Sequence, residues 1–130
     1  MNIILKAGCI LAGAFALSAS AADYYVGGDN ASDDNDGSAA APFETLDKAF
    51  ATGGGTKGNN IYVRAGTYST NQQYGYDLKA NLIGDAETRD EVVIQSAGNY
   101  RTLRMNATDK PTVTKVTIVG CTDISKVDKG

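Results

Sequence analysis

The 130-residue chain has no histidine and no tryptophan, two cysteines, two prolines, and no dense cluster of lysine and arginine. Each shortage removes a class of chemistry. Only one cysteine, Cys121, lies beyond the first ten residues, so a zinc site, a Ser-His-Asp triad, a Cys-His pair and haem ligation all lack their ligands. The net charge is −3. Non-specific affinity for nucleic acid comes mainly from neutralising phosphates, and so DNA and RNA are excluded as partners. Without tryptophan the commonest aromatic platform for sugars is also missing. The length suits one domain at most.

The chain opens with a targeting segment. Met1 to Lys6 carries one positive side chain and no acid, and Ala7 to Ala19 is a run of apolar and small residues ending in SASAAD. Ala19-Ser20-Ala21 before Ala22 reads as an A-x-A cleavage signal, and Ser20-Ala21-Ala22 before Asp23 is nearly as good. The run is shorter than the ~20 residues of a spanning helix, which favours export with cleavage over a membrane anchor. Residues 1–21 are thus expected to be a signal peptide. The product is expected outside the cytoplasm: secreted, at the cell surface or in a periplasm, with no membrane span after cleavage. A lipoprotein signal is not expected, because Lys6 precedes Ala7-Gly8-Cys9 where an aliphatic residue is wanted.

Cleavage after Ala21 leaves 109 residues with a net charge of −4 and the single thiol of Cys121. An internal disulfide is then excluded. With no histidine or base motif beside it, Cys121 reads as a small buried hydrophobe rather than a nucleophile. Charge along this mature chain is uneven. Ala22 to Asp47 holds seven acids and no base, whereas Tyr100 to Gly130 holds six bases and three acids. That gradient is too dilute to steer a ligand and reads as solvated turns.

Secondary structure reads as one helix among strands. Asp23 to Val26 (DYYV) is β-prone and closes on Gly27-Gly28, and Asp29 to Ala41 reads as loop. Phe43, Leu46, Ala49 and Phe50 recur at helical spacing, which predicts an amphipathic helix from about Pro42 to Thr52, stopped by Gly53-Gly54-Gly55. Extended segments follow at Asn60–Arg64, at Tyr76–Ile83 with a break near Ala80, at Glu91–Gln95, at Arg101–Met105 and at Val113–Val119. Ile61, Leu82 and Leu103 fall 21 residues apart, and Ile94 and Val116 fall 22 apart. Periods in this range signal solenoids in which each coil contributes more than one strand.

The series DYYVGGDNASDDNDGSAAAPFETLDKAF, then GNNIYVRAGTY, LKANLIGD and VTKVTIVG, resembles the N-terminal region of secreted right-handed parallel β-helix proteins, the group that includes pectate-lyase-like polysaccharide lyases. The likeness spans Asp23 to about Gly120, and its parts occur in order. It implies a mainly β fold: a right-handed parallel β-helix, a single-stranded solenoid, showing its first two to three coils behind an N-terminal capping helix. The expected layout is a signal peptide over 1–21, a strand, acidic loop and capping helix over 22–58, and incomplete coils over 59–130. An amphipathic helix bearing Phe43, Leu46 and Phe50 would plug the open apolar end of such a stack. Gly66 would permit the turn after the first coil strand. After Val119-Gly120 the pattern of relatives usually continues, whereas here it gives way to CTDI. Solenoid repeats need about three coils and a terminal cap, which raises the expectation of a truncated chain.

Functional candidates are few. The loop Ser32-Asp33-Asp34-Asn35-Asp36-Gly37 invites calcium, with Asp34 and Asp36 at the third and fifth positions of an EF-hand-type loop, but Ser32 and Phe43 stand where its first and twelfth ligands should be. An Asx-rich turn is the stronger reading. Tyr68, Tyr74 and Tyr76 bracket a polar loop and could stack on sugars, although packing at the rim of the core is favoured. Lyase-type elimination needs a cation to abstract the proton α to a uronate, with calcium or arginine on the carboxylate. Arg101, Arg104 and Lys115 are the cations to consider, and the alternation of RTLRM reads instead as a strand with cations outward. In relatives the catalytic groups lie on later coils, so no catalytic residue is carried over. Asn30-Ala31-Ser32 and Asn106-Ala107-Thr108 are formal glycosylation sequons.

The resemblance implies a capping segment of an exported protein that acts on or binds polysaccharide. The parent would be a polysaccharide lyase or glycoside hydrolase and the chain itself inactive. The alternatives are a non-catalytic surface adhesin or autotransporter-type passenger, and an inert exported fragment. N-terminal sequencing of the exported product should begin at Ala22 or Asp23. A product starting at Met1 would contradict the targeting assignment.

Overall fold

The computed structural model describes residues 20–70, 77–98, 102–105 and 108–120. Among these residues, nine short strands, all paired in parallel, form three sheets. The first sheet has the order β1 (Asp23–Val26), β2 (Asn60–Arg64), β5 (Asn81–Asp85), β8 (Val113–Thr114). In the second, β3 (Gly66–Thr70) pairs with β6 (Val92–Ser96), which pairs with β9 (Thr117–Val119). The third is β4 (Asp77–Leu78) beside β7 (Arg104–Met105). The chain visits the three sheets in turn and then returns to the first, one strand further along. Membership is fixed by alternation. In β2 and β5 every second residue is buried, so Ile61, Val63, Leu82 and Gly84 point inward while Asn60, Tyr62, Asn81 and Ile83 point outward.

The core between the sheets is apolar. Val26, Ile61, Val63, Leu78, Leu82, Val92 and Ile94 are fully buried in it, and Tyr24, Tyr68 and Val113 pack partly against it. Inward residues lie in register from strand to strand, with Ile61 beside Leu82 and Leu82 beside Val113. The 21-residue interval is therefore a true coil length between β2 and β5, but it does not persist. Leu82 meets Val113 after 31 residues, not Leu103, and Ile94 meets Ile118 after 24, not Val116. The connections vary in length at the corners, where extra residues cost little, while pairing inside the sheets holds the register.

The helix is shorter and later than its periodicity suggests. It comprises α1 (Leu46–Ala49) followed by a π-helical turn at Phe50–Gly54, and Thr45 caps it by accepting a hydrogen bond from the Lys48 N–H through Oγ1. Pro42 and Phe43 lie outside it, because their backbone is used elsewhere. Phe43 bridges Val26 in parallel, donating to the Tyr25 carbonyl and accepting from the Gly27 N–H at 2.9 Å each. Gly53 does not stop the helix. It faces the Tyr24 ring, and a Cβ there would collide with that ring.

Two further departures concern strand limits. Gly66, at φ 150°, opens β3 directly after the bend at Ala65, a strand that the turn-like composition of GTYST hides. Val113–Val119 is two strands, because Lys115 takes a left-handed conformation (φ 54°) between β8 and β9. That corner folds tightly over β5, and a Cβ on Gly84 would overlap the Lys115 carbonyl oxygen. No helix among the described residues is long and apolar enough to cross a membrane.

Gly84→Ala should cost about 1–3 kcal/mol in urea unfolding, because the β8–β9 corner must shift to admit a methyl group. Gly55, at φ −82° with open space where a Cβ would sit, provides the control, and Gly55→Ala should be near neutral. Equal effects at the two sites would refute the close approach.

Candidate functional site

Two surfaces of the described residues gather polar side chains into ordered arrangements. The first joins the acidic loop to the helix start. One Asp33 oxygen accepts from the Glu44 and Thr45 N–H groups at 3.0 and 2.9 Å, and the other accepts from the Thr45 hydroxyl at 2.7 Å. Burial works to raise the Asp33 pKa. The Thr45 hydroxyl, the Thr45 and Glu44 amides and the Lys48 charge outweigh it and hold the group below the ordinary carboxylate range. Asn35 adds to the joint, its side-chain amide donating to the Asn30 and Pro42 carbonyls at 2.9 and 2.8 Å.

The two calcium candidates do not converge on this joint. Asp36 makes an Asx turn, with Oδ1 accepting from the Ser38 N–H at 2.9 Å, and that bond is the chief cause of its lowered pKa. Asp34 is exposed, and its N–H donates to the Ser32 hydroxyl at 3.2 Å. Among the described residues no three His, Cys, Asp or Glu side chains are grouped to hold a metal ion. The structurally important acid is Asp33, which the calcium pattern passes over. The signal for it is a carboxylate 12 residues before a Thr-x-x-Lys helix start.

The second surface is the outer face of the four-stranded sheet. An amide ladder climbs it. The Asn60 side-chain N–H donates to Asp23 Oδ1 at 2.8 Å, and the Asn81 side-chain N–H donates to Asn60 Oδ1 at 3.0 Å. The Thr112 N–H and hydroxyl then donate to Asn81 Oδ1 at 3.0 Å each. The Asn60 amide keeps donor and acceptor capacity for a further partner, whereas Asn81, whose oxygen already accepts twice, keeps one donor. Beside the ladder, Tyr25 stacks on Tyr62 with ring centroids 5.0 Å apart and planes 18° apart, and Ile83 continues the row. The stacking direction follows strand-to-strand spacing, so ring edges and hydroxyls, rather than the shared faces, meet solvent. Those hydroxyls make no hydrogen bond to the described residues. Burial first, then the charges of Asp23 and Asp85 and the neighbouring Tyr25, push the Tyr62 pKa up.

Arg64 ends the row. Its guanidinium sits 5.7 Å from the Tyr25 ring centroid and donates to the Gly27 and Ala39 carbonyls at 3.3 and 2.7 Å. Tyr68 lies inside rather than in a sugar-facing cluster. Its hydroxyl donates to the Arg64 carbonyl at 2.9 Å, and burial raises its pKa against the opposing effect of Arg64. Arg104 lies 4.0 Å from Asp77 in an exposed pair across β4 and β7, and Lys115 occupies the β8–β9 corner, so these two cations are not brought together on one face. Asn30 is exposed and its amide bonds the Ala40 carbonyl. Tyr74, Tyr76, Arg101, Asn106, Cys9 and Cys121 lie outside the described residues.

Sequence reasoning missed Tyr25, Tyr62, Asn60 and Asn81. A signal is present, since DYYV, NIYV and NLIG align position for position once the strands are placed in register.

Parallel strands stacked in three sheets around an apolar core define a mainly β fold with parallel pairing throughout the described residues. The model of a family described as a protein of unknown function (DUF1565) matches residues 26–128, and the chain belongs to that family, a domain of the parallel β-helix type. No curated protein and no solved structure matches the chain.

Asp33→Asn keeps the shape but cannot accept from the Thr45 hydroxyl and the two amides together, and should lose about 1–2 kcal/mol at pH 7. Because the folded Asp33 pKa is depressed, its contribution is complete above the unfolded value of about 3.9 and fades as pH falls through the lower folded value. The stability gap between wild type and variant, measured by urea unfolding, should close below about pH 4. A gap unchanged down to about pH 2 would contradict this role.

Proposed function

We propose that this chain is the capping end of an exported right-handed parallel β-helix whose outer sheet face binds polysaccharide, and that the chain alone carries out no catalysis. The observation that carries the reading is the in-register outer face of β1, β2 and β5, where tyrosine lies on tyrosine and amide on amide. Such rows form a flat, ordered strip rather than a pocket. A row of amides beside a pair of stacked phenols suits a repeating polymer of hydroxyl-bearing units, which can be gripped at several steps at once. The capping role is supported by the edge of β1. Its Tyr25 and Gly27 amides donate to the Gly37 and Phe43 carbonyls, and its Tyr25 carbonyl accepts from Phe43. Phe43, Leu46, Ala49 and Phe50 are buried against the core behind it, an arrangement that prevents edge-to-edge association. Export rests on the A-x-A signal after the short apolar run.

The test is retention of the full chain on insoluble polysaccharides, with soluble products assayed in parallel. Retention without product is expected. Tyr62→Ala should weaken it about tenfold, in keeping with the ~1–3 kcal/mol that one well-placed side chain contributes. Thr67→Ala, exposed on a different sheet, should leave it unchanged. No retention on any polymer would refute the binding reading, and release of sugar fragments would refute the non-catalytic one.

A further inference from the structure

The charges around the strip restrict which polymer it takes. Among the outward residues of β1, β2, β5 and β8, the ionisable groups are Asp23, Tyr25, Tyr62, Arg64 and Asp85. The two carboxylates flank the tyrosine row. Asp23 uses one oxygen for Asn60, and behind the larger effect of burial both carboxylates help to raise the Tyr62 pKa. The single cation among these residues is already engaged. Arg64 donates to two backbone carbonyls, lies over Tyr25 and has Asp85 as its register partner on β5, so its charge already faces a carboxylate of the sheet itself. Lys79 and Lys115 lie outside these strands, in the corners before β5 and after β8, and the Lys115 charge acts on Glu91 ahead of β6. With two carboxylates against one cation on the face, an acidic sugar unit laid on this strip would thus meet net like charge. A neutral sugar hydroxyl would meet a strong acceptor in Asp23, and groups that both donate and accept in the phenols and the Asn60 amide.

We infer that the strip selects neutral polysaccharide and rejects polyuronate. This rests on the polysaccharide reading of the same face and narrows it. It also runs against the acidic substrate that the resemblance to pectate-lyase-like proteins implies. Rejection is electrostatic at an exposed surface, so salt screens it.

Affinity electrophoresis of the full chain in gels containing galactomannan, hydroxyethylcellulose or polygalacturonate tests this directly. At low ionic strength a neutral polymer should retard the chain at least about tenfold more strongly than polygalacturonate, and added salt should narrow the difference. Asp85→Asn, at an exposed strand end, should leave retardation by the neutral polymer within about twofold and raise that by polygalacturonate severalfold. Circular dichroism confirms that the variant is folded. Polygalacturonate binding equal to or tighter than neutral binding, or unaffected by Asp85→Asn, would overturn the selectivity while leaving the polysaccharide reading in place. Retardation by none of the three polymers would overturn both.

Discussion

Strand β1 has one neighbour in its sheet, β2, so its other flank carries backbone N–H and C=O groups that must find partners outside the sheet. The arrangement of the first half of the chain follows from that requirement. Gly37 and Phe43 supply the missing partners, which forces the acidic loop to double back along β1. Pro42 and Phe43 are drawn out of the helix, and Thr45 becomes its first capped position. Asp33 then joins loop and helix by accepting from Glu44 and Thr45. The acids of this segment therefore serve geometry before charge. Two of them, Asp33 and Asp36, bond backbone N–H groups that would otherwise be left open.

Parallel pairing in register has a second consequence. Each residue of a coil lies beside its counterpart one coil later, so a side chain is stacked on something similar or on something that must tolerate it. Inside, this gives Ile61 on Leu82 on Val113, a continuous apolar column. Outside, it gives Asp23, Asn60, Asn81 and Thr112 linked by side-chain hydrogen bonds, and Tyr25 on Tyr62. The same rule that stabilises the stack produces the ordered strip proposed to bind a polymer. The neighbouring column, Val26 on Val63 on Gly84, narrows at Gly84, since the Lys115 carbonyl takes the space a side chain would need.

Local patterns in the chain carry a good part of the fold. The alternation in NIYVR and in the segment ending at Ile83 identifies β2 and β5, and their 21-residue interval matches the register between them. The apolar set Phe43, Leu46, Ala49 and Phe50 is buried as its spacing suggests, although Phe43 reaches the core from an extended segment. The features that local pattern hides depend on contacts distant in sequence. GTYST looks like a turn because its residues are turn formers, and only pairing with β6 makes it a strand. VTKVTIV looks like one strand because nothing local announces the left-handed Lys115. The amide ladder and the tyrosine stack need register, which a changing coil length conceals. The polysaccharide link comes from resemblance, whereas the residues proposed to make the contact come from geometry.

The central claim is that backbone hydrogen bonds from the loop and Phe43 close the exposed edge of β1. Amide hydrogen exchange on the full chain tests it most directly. The Tyr25 and Gly27 amides should exchange as slowly as that of Leu82, which donates to the Thr112 carbonyl within the stack. Exchange of Tyr25 and Gly27 at the rate of the exposed loop residue Asp29, with Leu82 still protected, would contradict it.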